Sequence, residues 1–291
     1  MATFDPAHPR FQGFDLIQAT YKHVGDHVIR VDVLVHQTLE TGKQPTIVRF
    51  HGGALVLTFV HFYYHAIVVS PNYRFMPQAT GLDIYDDIED FWTWLRSPVL
   101  QELLAEHKTP TQLDLDRTLV AGESAGGLLS INASLTHASE VRAAIATYPS
   151  LDPSSPDFTQ PRTDLLPFGQ SLPESLVENV LGPVRDGGPV STLVGPEYLS
   201  VTCAAIQCGR LGDWYTRGSQ DSARQNLLYL LLVETAEARP HHVEVAAAGV
   251  YQELKALAAN SGLHVEDGAI LGRNHWSRSI GIAVAETEGS C

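Results

Sequence analysis

Leu119-Val120-Ala121-Gly122-Glu123-Ser124-Ala125-Gly126-Gly127-Leu128-Leu129 decides how the rest of the chain is read. Thr118 to Ala121 has the length and composition of a buried strand, and Leu128, Leu129, Ile131 and Leu135 fall at helical spacing. Between them lies Gly-x-Ser-x-Gly, formed by Gly122, Ser124 and Gly126. A strand, a sharp turn with serine at its tip and then a helix is the setting of a nucleophile elbow. Glycine is needed two residues before and two after the serine, because backbone packs on backbone there and a Cβ would clash. The five-residue pattern alone is weak; its flanks make it specific.

Upstream, residues 15–37 read as two strands joined at Gly25-Asp26, with Ile17, Ala19 and Tyr21 alternating in the first and Ile29, Val31, Val33 and Val35 in the second. Thr46 to Phe50 reads as a buried strand running into His51-Gly52-Gly53-Ala54, and Ala66 to Ser70 as another, ending at Pro71-Asn72-Tyr73-Arg74. Asp83 to Leu95 carries Ile84, Ile88, Phe91, Trp92 and Leu95 at helical spacing, and Leu100 to His107 forms a second helical piece. Downstream of the elbow helix, which runs to about His137, Ala143 to Thr147 is a further strand. Alternating strands and helices predict an α/β fold with a mostly parallel central sheet and the site at the carboxyl ends of its strands.

Residues 150–200 change character, dense in Ser, Pro, Asp and Gly around a helical segment at Leu172 to Leu181. They read as a lid-like insertion within a single 1–291 domain, or more plainly as a surface excursion. Thr202 to Gln207 is expected as a strand before Gly209-Arg210-Leu211-Gly212-Asp213, and His264 to Leu271 as a weak strand before Gly272-Arg273-Asn274-His275.

Composition narrows the function. Apolar residues are 44% and charged ones 18%, below the roughly 25% of an average domain, which speaks against disorder. Nineteen Lys and Arg against 33 Asp and Glu give a net charge of −14, a poor match for nucleic acid or an anionic membrane. No apolar run is long enough to span a bilayer, and the N-terminus lacks the pattern of a signal peptide. Three cysteines without an export signal read as free thiols, and the expected compartment is cytoplasmic.

A serine hydroxyl needs a base to take its proton and a third group to orient that base. In this architecture the order is Ser, acid, His. Ser124, Asp213 and His275 satisfy it, with His264, His241 or His242 as fallback bases and a turn-capping role as the plainer reading of Asp213. The oxyanion donors are the backbone N–H of Ala125 together with those of Gly52 and Gly53. His61 and His65 stand at i, i+4, but no carboxylate pattern accompanies them, so no metal is expected.

His51-Gly52-Gly53, Ser70-Pro71-Asn72-Tyr73-Arg74 and Gly122-Glu123-Ser124-Ala125-Gly126-Gly127, with the downstream Asp and His, resemble the hormone-sensitive-lipase-like branch of the α/β-hydrolase fold, the group called α/β-hydrolase fold-3. The resemblance is tightest from Ile47 to Pro149, and the block from Ala79 to Leu95 is similar to fungal members, many from secondary-metabolite pathways. It implies a cofactor-free serine esterase cleaving small or medium acyl esters through an acyl-enzyme. A non-hydrolytic cyclisation or elimination on the same scaffold, and an inactive remnant or binding protein, are the alternatives.

Several positions depart from the family. Ala54 stands where a third glycine is usual, and Gln78 where a glutamate is usual. Only Ala54 to Tyr64 separate Gly53 from His65, where the family places a loop and a full helix; a mean helix alone takes roughly 11–12 residues. The interval from Asp213 to His275 is longer than one helix and one strand, with Arg224 to Ala248 as the surplus. One segment short and one in excess is the pattern left by a misplaced intron boundary, and equally by a genuinely divergent enzyme.

Overall fold

The chain enters its sheet through a hairpin. β1 (Phe14–Val24) and β2 (His27–His36) pair antiparallel across Gly25, whose φ of 58° is the left-handed conformation the turn demands. The computed structural model describes residues 11–52, 65–147, 156–162, 171–184, 191, 197–216, 264–268 and 281–285. The period-2 reading of β2 is borne out: Ile29, Val31, Val33 and Val35 are fully buried. Leu34, on the opposite face, is also buried, because Phe11, Phe14, Ile47, Ala66 and Val68 form a second apolar layer there.

The remaining strands are β3 (Gly42–Phe50), β4 (Ile67–Pro71), β5 (Thr111–Glu123), β6 (Val141–Thr147), β7 (His264–Gly268) and β8 (Gly281–Ala285). Their order across the sheet is β1-β2-β4-β3-β5-β6-β8-β7, with β4, β3, β5 and β6 mutually parallel. The mostly parallel sheet expected from the alternation of elements is therefore present. β8 runs antiparallel to both β6 and β7 and was not foreseen; its sequence, Gly-Ile-Ala-Val-Ala, is short and lies near the end of the chain.

Helices α1 (Gly81–Leu95), α2 (Pro98–Ala105) and α3 (Ala125–Thr136) fall where the apolar spacing puts them. A capping box starts α1: the Thr80 hydroxyl accepts from Asp83 N–H, while the Asp83 carboxylate accepts from Thr80 N–H. Its inner face sends Phe91, Trp92 and Leu95 into the main core beside Phe50, Val48 and Val69. The Asp87 carboxylate on the same helix is wholly buried, gripped by Lys22 at 2.7 Å and by Arg74 at 2.9 Å. That ties the Tyr73-Arg74 segment after β4 to both α1 and the hairpin.

Four more helices, α4 (Pro156–Thr159), α5 (Ser175–Val184), α6 (Glu197–Gln207) and α7 (Leu211–Thr216), build an apolar cluster of their own. Val177, Val201, Ala204, Ala205, Leu211 and Trp214 form it, and Met76 packs against it from the main body. His27 Nε2 meets the buried Ser191 hydroxyl at 2.8 Å, a second link between this part and the sheet.

Here one expectation is corrected. Thr202 to Gln207 is helical, not a strand. A short apolar run has no period that separates the two, and the buried positions Val201, Ala204 and Ala205 fit a helical stripe. The ending is diagnostic: Arg210 N–H donates to Ala205 C=O and Gly209 N–H to Ile206 C=O, with Gly209 at φ 66°, a Schellman cap. The glycine read as a turn after a strand is the terminator of a helix. The 54–64 interval, the 224–248 surplus and most of the tail lie outside the described residues.

Candidate active site

β5 ends at Glu123, and the chain turns through Ser124 directly into α3. Ser124 has φ 54° and ψ −119°, the only positive φ of a non-glycine residue among the described residues. A side-chain-bearing residue in such a region costs roughly 1–3 kcal/mol and persists only where the surroundings enforce it. They do so through two glycines. A Cβ at Gly122 would strike the Gly126 carbonyl and come within 2.6 Å of Ser130 Oγ. One at Gly126 would strike the Phe50 carbonyl and sit 2.8 Å from the His51 carbonyl oxygen. The elbow reading of Gly-x-Ser-x-Gly thus has its geometry: β5, α3 and the end of β3 meet main chain to main chain.

The His51-Gly52 segment lies against the same serine. A Cβ built on Gly52 would be 3.5 Å from Ser124 Cβ and 2.8 Å from the Glu123 carbonyl oxygen. Ala125 follows the serine as the first residue of α3, where backbone N–H groups lack intrahelical partners. Gly52, expected as an oxyanion donor, differs: its N–H donates to Glu123 Oε1, at a long 3.5 Å. Gly53 lies outside the described residues.

Sequence reasoning missed what sits beneath this turn. Glu123 Oε1 also accepts from Arg49 Nη2 at 2.5 Å, and the side chains are only 6% and 3% exposed. Burial pushes the Glu123 carboxyl up, opposed by the Arg49 charge and the Gly52 N–H. The signal was present: Arg49 interrupts the apolar run Ile47-Val48-Arg49-Phe50, and a charge inside a buried strand needs a partner.

His51 closes the other side. Its ring stacks on Tyr73 at 4.5 Å between centroids, meets the edge of Phe75 at 5.7 Å, and its Nδ1 lies 3.1 Å from the Gly52 carbonyl. The Tyr73 hydroxyl donates to the His51 carbonyl at 2.5 Å. Although the residue as a whole is only partly buried, Nε2 is sealed from solvent and has no hydrogen-bond partner among the described residues. Desolvation lowers the pKa from 6.5 to about 4, so the ring is neutral at ordinary pH. Its stabilising contribution is full above pH 6.5 and is lost as pH falls to about 4, because the unfolded chain binds a proton there that the folded chain refuses. The shift corresponds to roughly 3 kcal/mol. His51→Gln should therefore flatten the fall of Tm between pH 6.5 and 4; an unchanged slope would mean that the ring is not held neutral.

The two downstream candidates fare differently. Asp213 stands in the first turn of α7, not at a strand end, with its carboxylate 72% exposed and 3.9 Å from Arg210. That position follows from α6 being a helix, and it removes the strand on which the assignment of the acid rested. His275 lies outside the described residues, as do His241 and His242. Among the described residues no cluster of His, Cys, Asp and Glu fits a metal, and no helix is long and apolar enough to cross a membrane.

Comparison with known proteins bears on the fold. A family model described as alpha/beta hydrolase fold matches residues 47–181, from β3 to within α5. A probable carboxylesterase of Phoma sp. is 32% identical over 210 residues, covering 63% of this chain and 65% of that protein. A probable carboxylesterase of Cochliobolus lunatus is 36% identical over 132 residues, covering 42% and 60%. The chain thus spans less than two thirds of the length of these curated relatives. Among solved structures, a protein with unknown function from Staphylococcus aureus subsp. aureus Mu50 shares the fold at TM-score 0.52 and 14% identity, over 74% of this chain and 75% of that one.

Proposed function

We propose that the chain, whose residues 47–181 match a family model of the alpha/beta hydrolase fold, is a serine carboxylic-ester hydrolase acting through an acyl-enzyme. The observation that carries the reading is Ser124 held at positive φ between β5 and α3, with the Gly52 backbone against its Cβ. In the first half-reaction Ser124 Oγ attacks the ester carbonyl while a histidine base, assigned to His275, takes its proton. The tetrahedral oxyanion is held by the N–H groups of Ala125 and Gly53, and collapse expels the alcohol with the proton returned by the histidine. Water then repeats the sequence on the acyl-serine. By chain order Asp213 is the acid that orients the base; its exposed place on α7 gives that role less geometric support than the serine has.

The substrate class is a small or medium acyl ester. The two fungal relatives, named as probable carboxylesterases, support ester cleavage; the acyl size and a place in a secondary-metabolite pathway rest on the resemblance of Ala79 to Leu95 to fungal members. Residues 150–200 are the lid-like insertion in this reading, which the separate apolar cluster built by α4 to α7 supports. A fluorophosphonate probe tests the proposal without knowledge of the natural substrate. The expected result is one covalent adduct on Ser124 in folded protein, absent from the Ser124→Ala variant. Folded protein that takes up no probe would overturn it and favour a binding protein.

A further inference from the structure

The buried Arg49–Glu123 pair lies outside the serine chemistry, yet it joins the two strand ends that the chemistry needs. Arg49 is the penultimate residue of β3, three positions before Gly52, and Glu123 is the last residue of β5, directly before Ser124. We propose that Glu123 is a positioning residue, a charged strut whose carboxylate, fixed by Arg49, holds the Gly52 amide and so sets the oxyanion loop against Ser124. The inference rests on the esterase reading of that site.

Two independent features support it. Glu123 Oε1 is shared: it accepts from Arg49 Nη2 at 2.5 Å and from Gly52 N–H at 3.5 Å, so one oxygen bridges the strand and the loop. Second, the adjoining backbone leaves the loop little choice. The Ser70 hydroxyl donates to the Arg49 carbonyl at 3.0 Å and Tyr73 to the His51 carbonyl, which fixes the peptides on either side of Phe50-His51. The Glu123 contact is the next fixed point along the chain, and it reaches Gly52 from the nucleophile's own neighbour. A buried ion pair is a poor device for stability alone, since an apolar pair of similar volume is often as stable or more so. A pair kept at the junction of nucleophile and oxyanion loop therefore points to geometry.

Two double variants separate geometry from packing. R49M/E123L removes both charges and leaves an apolar pair, so its Tm is expected at or above that of the unaltered protein. R49M/E123Q also lacks the ion pair but keeps an oxygen that can accept the Gly52 N–H. On p-nitrophenyl acetate, kcat is expected to fall at least tenfold in R49M/E123L with KM within about twofold, and to recover at least half of that loss in logarithmic terms in R49M/E123Q. Where the unaltered protein is active, equal kcat in the two folded variants overturns the strut. Should R49M/E123L fail to fold, Glu123→Gln in the native background replaces it, expected to retain at least a tenth of kcat with the Gly52 amide still protected. Amide hydrogen exchange at Gly52, followed by NMR, reads the strut even in a protein without esterase activity: protection is expected to drop in R49M/E123L and persist in R49M/E123Q. Catalytic inactivity with that exchange pattern would sink the esterase reading and leave the strut; activity with unchanged Gly52 exchange in all variants would do the reverse.

Discussion

Ser124→Ala should lower kcat on a p-nitrophenyl acyl ester by at least about a thousandfold, with no change in Tm beyond about 2 °C. The activity loss follows from removing the only atom that attacks. The absence of a stability loss is the less obvious half. A serine at a helix N-cap ordinarily supplies a hydrogen bond, and replacing it by alanine costs roughly 0.5–2 kcal/mol. Ser124 occupies the N-cap of α3 but makes no side-chain cap bond, so its Oγ is spared from structural duty. Alanine keeps the Cβ and hence the same backbone strain. Ser124→Gly would remove that strain and is expected to stabilise by roughly 1 kcal/mol while being equally inactive. Retention of more than a hundredth of kcat by the alanine variant would show that hydrolysis does not pass through Ser124.

Gly126→Ala is the second large effect, and it falls on stability. The added methyl would meet main-chain atoms of Phe50 and lie 2.8 Å from the His51 carbonyl oxygen. Neither partner can give way. Phe50 ends β3, which is held in parallel register by β4 on one side and β5 on the other. Gly126 is the second residue of α3, whose Leu128, Leu129 and Ile131 are anchored in the core. Overpacking against movable side chains costs about 1–3 kcal/mol; against immovable backbone the expected loss exceeds about 3 kcal/mol. Urea unfolding measures it as a lowered midpoint at unchanged m. Gly25→Asn provides the contrast: its φ is 58° but nothing lies within 4 Å, and asparagine tolerates that conformation, so a change below about 1 kcal/mol is expected. Similar midpoints for the two variants would mean that the elbow is not packed against β3.

Both predictions concern the part of the molecule that was most legible in the sequence. From β2 to Thr147 local marks carried the reading: alternation in β2, apolar residues at helical spacing in α1, glycines at fixed offsets around Ser124. These marks survive because they depend on neighbours in sequence. What escaped depends on neighbours in space. Arg49 and Glu123 are far apart along the chain, and nothing local in either strand specifies that they pair. α6 escaped for a different reason, since six residues of small apolar character satisfy both periods and only the cap at Gly209, read with Ala205 and Ile206, separates them. β8 was not seen because Gly-Ile-Ala-Val-Ala has strand composition without flanking turn chemistry, and its pairing with β6 and β7 supplies what its sequence lacks.

The glycine contacts around the elbow have a consequence for how such a protein can change over time. Of the atoms that a side chain at Gly122 or Gly126 would meet first, all but Ser130 Oγ belong to main chain. Main-chain atoms are the same whatever residue carries them. Substitutions at Phe50 or His51 alter the side chains around the nucleophile yet leave the surfaces that shape its turn untouched. The elbow is thereby insulated from drift in its surroundings, and a serine at this angle can outlast the replacement of most of the residues that once enclosed it.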